Sequence, residues 1–127
     1  MKQVLLITLL IGLAGLVQGC VVAAVGVGAG GTVAYVMGDL EAVEAKDLDA
    51  VYEAVEKALG ELELNVTKKT KDAMSAVIVA RDAQDKKITI SLSATTEETT
   101  KLSIRVGVFG SKTKSRLIYQ KIRDNLY

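Results

Sequence analysis

The thiol of Cys20 is the side chain in this sequence that is best placed to do chemistry. It is the single cysteine among 127 residues, and it directly follows Gly19. An apolar run of 14 residues, 4–17, lies just before it and is preceded by a short positive start. That run is long for a signal-peptide core and short for a membrane span, which needs about 20 residues. A lone cysteine also excludes an internal disulfide, a zinc cluster and a CxxC redox pair.

A small residue directly before a cysteine, after an apolar core, resembles the bacterial lipobox. The resemblance implies that diacylglycerol is attached to the Cys20 thiol and that the chain is cut before this residue. Acyl chains on the thiol and on the new amine would hold the protein firmly at a bilayer. Val21 stands where lipoproteins of the inner membrane often carry aspartate, so we expect the outer membrane, facing the periplasm. The alternative is an uncleaved membrane anchor with an incidental cysteine.

Glycines follow the cysteine at two spacings that carry function in other proteins. Gly26, Gly28 and Gly31 satisfy GxGxxG, but a dinucleotide site needs a βαβ unit, which this sequence does not predict. Gly26 and Gly30 form GxxxG, which allows close helix contacts in a membrane and would support a homo-oligomer. Because glycine destabilises helices, we expect a simple apolar tether and keep the oligomer as the alternative.

The other polar residues indicate no catalytic, metal or cofactor site. The chain has no histidine, the commonest general base and metal ligand near neutral pH. Ser111 and Lys114 match the SxxK motif of penicillin-binding proteins, but the S-D-N and K-T-G elements are absent, so we interpret Ser111 as a helix N-cap. The carboxylate pairs Glu97 with Glu98 and Asp47 with Asp49 are interpreted as solvated or structural. Asp72, Asp82 and Asp85 do not have the spacing of a calcium-binding loop. We therefore expect a protein that is not an enzyme and has no cofactor.

Charge is divided between two parts of the chain. Residues 39–63 hold nine acids and two bases, whereas residues 64–127 hold thirteen bases and six acids. The net charge of the whole chain is +1, which gives no global footprint for nucleic acid. The candidate anion-binding residues are Lys112, Lys114 and Arg116 at the start of the predicted C-terminal helix, and Arg105 on the sheet. They would suit a phospholipid or lipopolysaccharide headgroup or an acidic partner. The alternative is a charged surface in which the two parts complement each other.

The spacing of apolar residues predicts the elements that position these side chains. Apolar residues recur at three- and four-residue spacing from Leu48, which predicts a helix from its N-cap Asp47 to Leu62. Alternation then predicts four strands with one buried face. Their inward residues are Leu64 and Val66; Met74, Ala76, Ile78 and Ala80; Ile88, Ile90 and Leu92; and Leu102, Ile104, Val106 and Val108. Leu40 and Val43 indicate a further edge strand, and Ser111 can cap a second helix.

These elements predict an α+β fold, a two-layer sandwich in the order (β)-α-β-β-β-β-α. We expect a four- or five-stranded antiparallel sheet with two helices on one face, the second presenting Ile118, Ile122 and Leu126 inward. The pattern resembles the bacterial lipoproteins gathered under domain of unknown function 3568. The stretches that carry the resemblance are Ala34-Tyr35-Val36-Met37-Gly38, Lys87-Ile88-Thr89-Ile90 and Ser103-Ile104-Arg105-Val106-Gly107-Val108-Phe109-Gly110. The resemblance implies a fold and an envelope location, and no activity.

The sequence is thus divided into a lipoprotein signal peptide (1–19), a lipidated Cys20 with its apolar tether (20–38) and a small periplasmic α+β domain (39–127). We expect a lipid-anchored envelope protein of a Gram-negative bacterium that acts as a non-enzymatic structural or partner-binding module. Its expected partners are the membrane, through the N-terminal lipid, and an envelope protein, and not nucleic acid. The alternative function is binding of an anionic envelope lipid or glycan through the basic C-terminal surface.

Overall fold

A computed structural model describes residues 33–127, which form an antiparallel sheet with two helices packed on one face. The strands are β1 (Val33–Val36), β2 (Asp39–Glu44), β3 (Asn65–Lys71), β4 (Ser75–Arg81), β5 (Lys87–Ala94) and β6 (Thr100–Val106). The helices are α1 (Leu48–Glu61), between β2 and β3, and α2 (Lys112–Leu126), after β6. Neighbouring strands pair in the order β1-β2-β6-β5-β4-β3. The α+β class, the antiparallel sheet and the order of elements are confirmed. The signal peptide, Cys20, Gly26 and Gly30 lie outside the described residues.

The sheet has six strands, so the predicted number of four or five is wrong. The additional strand is β1, from residues that the sequence analysis assigned to the tether. Its sequence Val-Ala-Tyr-Val is apolar throughout and lacks the alternation that marks a half-buried strand. Since β1 pairs with β2 and β2 pairs with β6, the strand that carries Leu40 and Val43 lies inside the sheet and is not its edge.

The core lies between the sheet and the two helices. Alternate residues of the central strands point toward the helices, as in β4, where Ala76, Ile78 and Ala80 are buried. The prediction that Val66, Met74 and Val108 also face inward is wrong, because β3 is exposed along its length, Met74 precedes β4 and Val108 follows β6. Helix α1 begins at Asp47, whose carboxylate accepts a hydrogen bond from the Ala50 N–H at 3.0 Å. The largest fully buried side chains include Leu40, Leu59, Ile78, Ile88, Ile90, Leu102, Ile104 and Ile122. Both helices and four strands therefore contribute to one core.

Candidate functional site

Two turns meet at one end of the sheet. The first is the β1–β2 turn at Met37 and Gly38, and the second joins β6 to α2 through residues 107–111. A Cβ atom at Gly110 would lie 2.2 Å from the carbonyl oxygen of Gly38, and one at Gly38 would lie 2.9 Å from the carbonyl oxygen of Phe109. Both glycines also have positive φ angles, of 80° and 91° respectively. The two turns therefore form one structure, and we call residues 37–38 and 107–110 the tip.

Arg105, on β6, holds the two turns together through hydrogen bonds. Its guanidinium donates hydrogen bonds to the carbonyl oxygen of Met37, at 3.1 Å, and to the carbonyl oxygen of Val108. It also pairs with the Asp39 carboxylate at 3.0 Å, because Asp39 lies opposite Arg105 in the register of β2 and β6. Arg105 thus has three acceptors within the protein and acts as a positioning residue for the tip.

The tip presents large apolar side chains to solvent. Met37 and Phe109 are each 91% exposed, and Val108 is 79% exposed. Met37 has a φ of 51°, in the left-handed region that bulky residues seldom adopt. These three side chains contribute little to the core of the domain. A cluster of exposed apolar side chains on fixed turns is typical of a contact surface.

A cleft of about 620 Å³ lies beside the tip and is lined by residues of β5, β6, the end of β4 and the adjoining turns. The charged residues on its wall are Arg81, Lys86, Lys87 and Arg105 against one acid, Asp85. Arg81 donates to the Asp85 carbonyl oxygen at 2.9 Å, whereas Lys86 and Lys87 are exposed and form no ion pair with residues 33–127. Val108 and Phe109 also line the cleft. A cationic wall beside an apolar one suits an anionic group that carries an apolar part.

The structure does not bring the four predicted anion-binding residues into one cluster. Arg105 lies under the tip, and none of the three α2 cations, Lys112, Lys114 and Arg116, lines the cleft. The Lys114 ammonium group lies 2.9 Å from the Asp82 carboxylate, and this hydrogen bond lowers the pKa of Asp82. Lys112 and Arg116 are exposed on the first turns of α2. Of the four, only Arg105 lines the cleft, where it is joined by Arg81 at the end of β4, Lys86 in the β4–β5 turn and Lys87 at the start of β5, which were not predicted as anion-binding residues.

The other sequence candidates have structural partners. The Ser111 hydroxyl accepts from the Lys114 backbone N–H and caps α2, which agrees with its interpretation as an N-cap. The Asp49 carboxylate pairs with Lys71 at 2.6 Å, and this contact raises the pKa of Lys71. The Asp72 carboxylate accepts from the Met74 and Ser75 N–H groups, which lowers its pKa. Glu97 and Glu98 lie exposed in the β5–β6 turn.

Within residues 33–127 no cluster of acidic or cysteine side chains has the arrangement needed to hold a metal ion. No helix in that part of the chain has the length and apolarity to cross a membrane.

A buried polar network, which was not among the features predicted from the sequence, joins β2 to α2. The Glu44 carboxylate is fully buried and accepts hydrogen bonds from the hydroxyls of Tyr119 and Tyr127. The Arg123 guanidinium lies 4.0 Å from the same carboxylate. Burial and the hydrogen bond to Glu44 raise the pKa of both tyrosines. The available signal was the period of two in β2, which puts Glu44 on the same face as buried Leu40 and Ala42.

The two edges of the sheet differ in chemistry. The outer strand β3 carries Lys68, Lys69 and Lys71 and has an irregular register between Val66 and Lys68, features that discourage pairing with another chain. The other outer strand, β1, is exposed along its whole length and carries no charge. Among the described residues, no strand pairs with the outer side of β1. An uncharged edge of this kind is a place where a partner strand can add.

Comparison with known proteins gives a family and no relative of known activity. A family model described as "Protein of unknown function (DUF3568)" matches residues 3–125. No curated protein matches the chain. The family match covers nearly the whole chain and confirms the predicted membership of this domain family. The function must therefore be argued from the chain itself.

Proposed function

The chain belongs to the DUF3568 family, for which no function is described, and we propose that it is a lipid-anchored protein of the bacterial envelope. In this proposal residues 1–19 are a signal peptide, and the Cys20 thiol carries diacylglycerol. The residues after Cys20 tether the domain to the outer membrane, on its periplasmic side. Self-association through Gly26 and Gly30 stays a prediction that this anchor would allow.

One observation carries the proposal: the single cysteine of the chain follows a small residue directly after an apolar run of signal-peptide type. Attachment of several acyl chains at one residue would hold the protein at a bilayer, since each buried CH₂ contributes about 0.8 kcal/mol.

Within the envelope, we propose that the domain is a non-enzymatic structural or partner-binding module. One surface supports this role: the outer edge of β1, which is exposed along its length and carries no charge. The nearest match to a catalytic pair supports no reaction, because the Ser111 hydroxyl caps α2 while the Lys114 ammonium group pairs with Asp82. An envelope protein that supplies a strand is the partner that this edge favours.

A second candidate function is binding of an anionic envelope lipid or glycan. The cleft beside the tip favours it, because Arg81, Lys86, Lys87 and Arg105 line it against one carboxylate. In this candidate function the anion-binding surface is basic, as expected from the sequence, but it is centred near the β4–β5 turn and not on α2.

Processing of a Cys20→Ser variant tests the anchor. Thioether formation needs a sulfur nucleophile, and a serine hydroxyl is far less nucleophilic than a thiolate. We therefore expect the variant to keep residues 1–19 when the gene is expressed in a Gram-negative host. A Val22→Ser variant introduces the same residue two positions away and should be processed like the wild type.

Mass spectrometry of the N-terminal peptide gives the result. The proposal expects the wild-type chain to begin at Cys20 and to carry added acyl mass. An intact Met1, or a free Cys20 thiol in the mature wild-type protein, would overturn it.

A further inference from the structure

The tip and the cleft together form one end of the domain, apolar at its outermost side chains and cationic behind them. We propose that this end docks on an anionic bilayer surface. Met37, Val108 and Phe109 enter the interfacial layer of the lipid, while the exposed cations of the cleft wall face the phosphate groups. The inference rests on the proposed lipid anchor for the proximity of the bilayer, and on the structure for the surface itself.

The exposure of the tip favours a membrane over a groove on a protein. The apolar side chains project from two turns and are 79–91% exposed. The contact of Gly38 with Gly110 and the hydrogen bonds of Arg105 fix the turns without using these side chains. The apolar side chains are therefore exposed at fixed positions, from which they can enter the lipid. The boundary of headgroups and acyl chains accepts side chains to a depth of about 5–10 Å.

The charge around the tip selects anionic lipid. Lys86 lies in the β4–β5 turn and Lys87 begins β5, and both line the cleft that Val108 and Phe109 also line. Neither lysine forms an ion pair with the part of the chain that the structure describes, so both are available to external phosphates. Long basic side chains next to apolar ones are the combination that residues at a bilayer surface show, because the stems lie on lipid while the heads contact phosphate.

The length of chain between the lipid and the domain makes docking feasible. Cys20 precedes Val33, the first residue of β1, by 13 positions. A fully extended segment of that length spans at most about 45 Å. Strand β1 then leads directly into the turn at Met37. The tip is therefore confined close to the membrane, and a weak contact becomes populated because its effective concentration is high.

Because the chain has no tryptophan, a single introduced indole can be followed by its fluorescence without background from another indole. Phe109→Trp puts one indole on the tip, and Met74→Trp puts one in the β3–β4 turn. Met74 is 63% exposed and lies at the opposite end of β4 from Arg81, which lines the cleft. Each full-length lipidated variant is incorporated into vesicles of equal parts phosphatidylglycerol and phosphatidylcholine, or into phosphatidylcholine alone. Indole fluorescence is quenched from the lipid side by brominated acyl chains and from the water side by iodide.

In the anionic vesicles we expect brominated lipid to quench the Phe109→Trp indole and iodide to quench the Met74→Trp indole. In phosphatidylcholine alone, and at high salt, both indoles should face water, because exposed charges are screened. Adding Lys87→Gln to Phe109→Trp should reduce the ratio of docked to undocked protein about fivefold, the effect of one basic residue near an anionic surface.

Equal exposure of both indoles to iodide in anionic vesicles would overturn the inference and leave the tip to a protein partner. Equal docking in phosphatidylcholine would overturn the role of the cations. The mass of the N-terminal peptide reports the anchor separately. An unlipidated Cys20 overturns the proposed function, and the same two indoles, with vesicles added in excess, still decide whether the tip docks.

Discussion

Glu44 is fully buried, and its carboxylate is held by two phenol hydroxyls and by a guanidinium at 4.0 Å. A buried carboxylate destabilises a fold unless its oxygen atoms are hydrogen-bonded and its charge is compensated. Tyr119, Arg123 and Tyr127 supply both, and all three come from the last two turns of α2 or directly follow it. At this scale the network fixes the end of α2 on β2, and its chemistry is structural.

Replacing Tyr119 with phenylalanine should separate the network from simple packing. Tyr119→Phe keeps the ring in place and removes a hydrogen bond to a buried charge, so the free energy of unfolding should fall by about 1.5–3 kcal/mol at neutral pH. Tyr52→Phe is the matched control, because no residue within 33–127 accepts a hydrogen bond from that hydroxyl. Urea unfolding of the three proteins measures the difference, and an equal loss in both variants would contradict the assigned role.

The same variant gives a pH dependence with a defined sign. The fold raises the pKa of Tyr119 and of Tyr127 above the ordinary value of 10.0, through burial and the hydrogen bond to Glu44. Above pH 10 the unfolded chain therefore loses phenol protons that the folded chain keeps, and unfolding is favoured. The stability that these tyrosines contribute is complete below pH 10 and declines as the pH rises further. Tyr119→Phe should lose less stability between pH 9 and pH 11 than the wild type does.

At the scale of elements, the two turns of the tip depend on backbone contact. The β1–β2 and β6–α2 turns are about 70 residues apart in sequence and are brought together by the pairing of β2 with β6. Gly110 fits because its φ is positive and because the Gly38 backbone occupies the space that a Cβ would need. Gly107 has a similar φ of 72°, but no atom lies within 4 Å of its Cβ position.

Alanine at these two glycines should distinguish backbone strain from steric conflict. Gly107→Ala should cost about 1–2 kcal/mol, the penalty for a left-handed residue with a side chain. Gly110→Ala should cost about 3 kcal/mol or more, because the same penalty is joined by a clash between two backbones. Thermal or urea unfolding measures both values. Equal costs would show that the turns separate easily and that the tip is not one structure.

The elements also show what the sequence could and could not predict. The helix boundaries at Asp47 and Ser111 and the four long strands follow from capping and alternation, which are local signals. Strand β1 escaped prediction because Val33–Val36 is uniformly apolar and gains its identity only by pairing with β2. The tip could not be predicted for a related reason. In the sequence, Val108 and Phe109 resemble the end of a strand and a turn, and only the strand register brings Gly38 into contact with Gly110.

At the scale of the whole molecule, the acidic and basic parts of the sequence form ion pairs with each other. Of the eight ion pairs in the described part of the chain, six join an acid from residues 39–63 to a base from residues 64–127. The two parts thus largely complement each other. Apart from Arg123 with the buried Glu44, these pairs are exposed and contribute little each, so their main effect is to decide which cations remain available. Those without an ion-pair partner in residues 33–127 include Lys86 and Lys87 at the cleft and Lys112 and Arg116 on α2.

Two double variants test whether this remaining charge binds an anionic glycolipid. Each removes two positive charges: Lys86→Gln with Lys87→Gln at the cleft, and Lys112→Gln with Arg116→Gln on α2. The measurement is retention of the full chain, in detergent, on immobilised lipopolysaccharide as sodium chloride is raised. We expect the cleft variant to bind about 25-fold more weakly at low salt, since each basic residue near an anionic surface contributes about 1 kcal/mol.

The α2 variant should lose less, because its two side chains lie outside the cleft that gathers Arg81 and Arg105 with the two lysines. Equal losses would indicate attraction by net charge alone, and a larger loss in the α2 variant would restore the surface predicted from the sequence. No loss in either variant would contradict anionic binding as a function of this domain. The partner-binding role would then rest on the β1 edge, which carries no charge and whose contacts salt would not weaken.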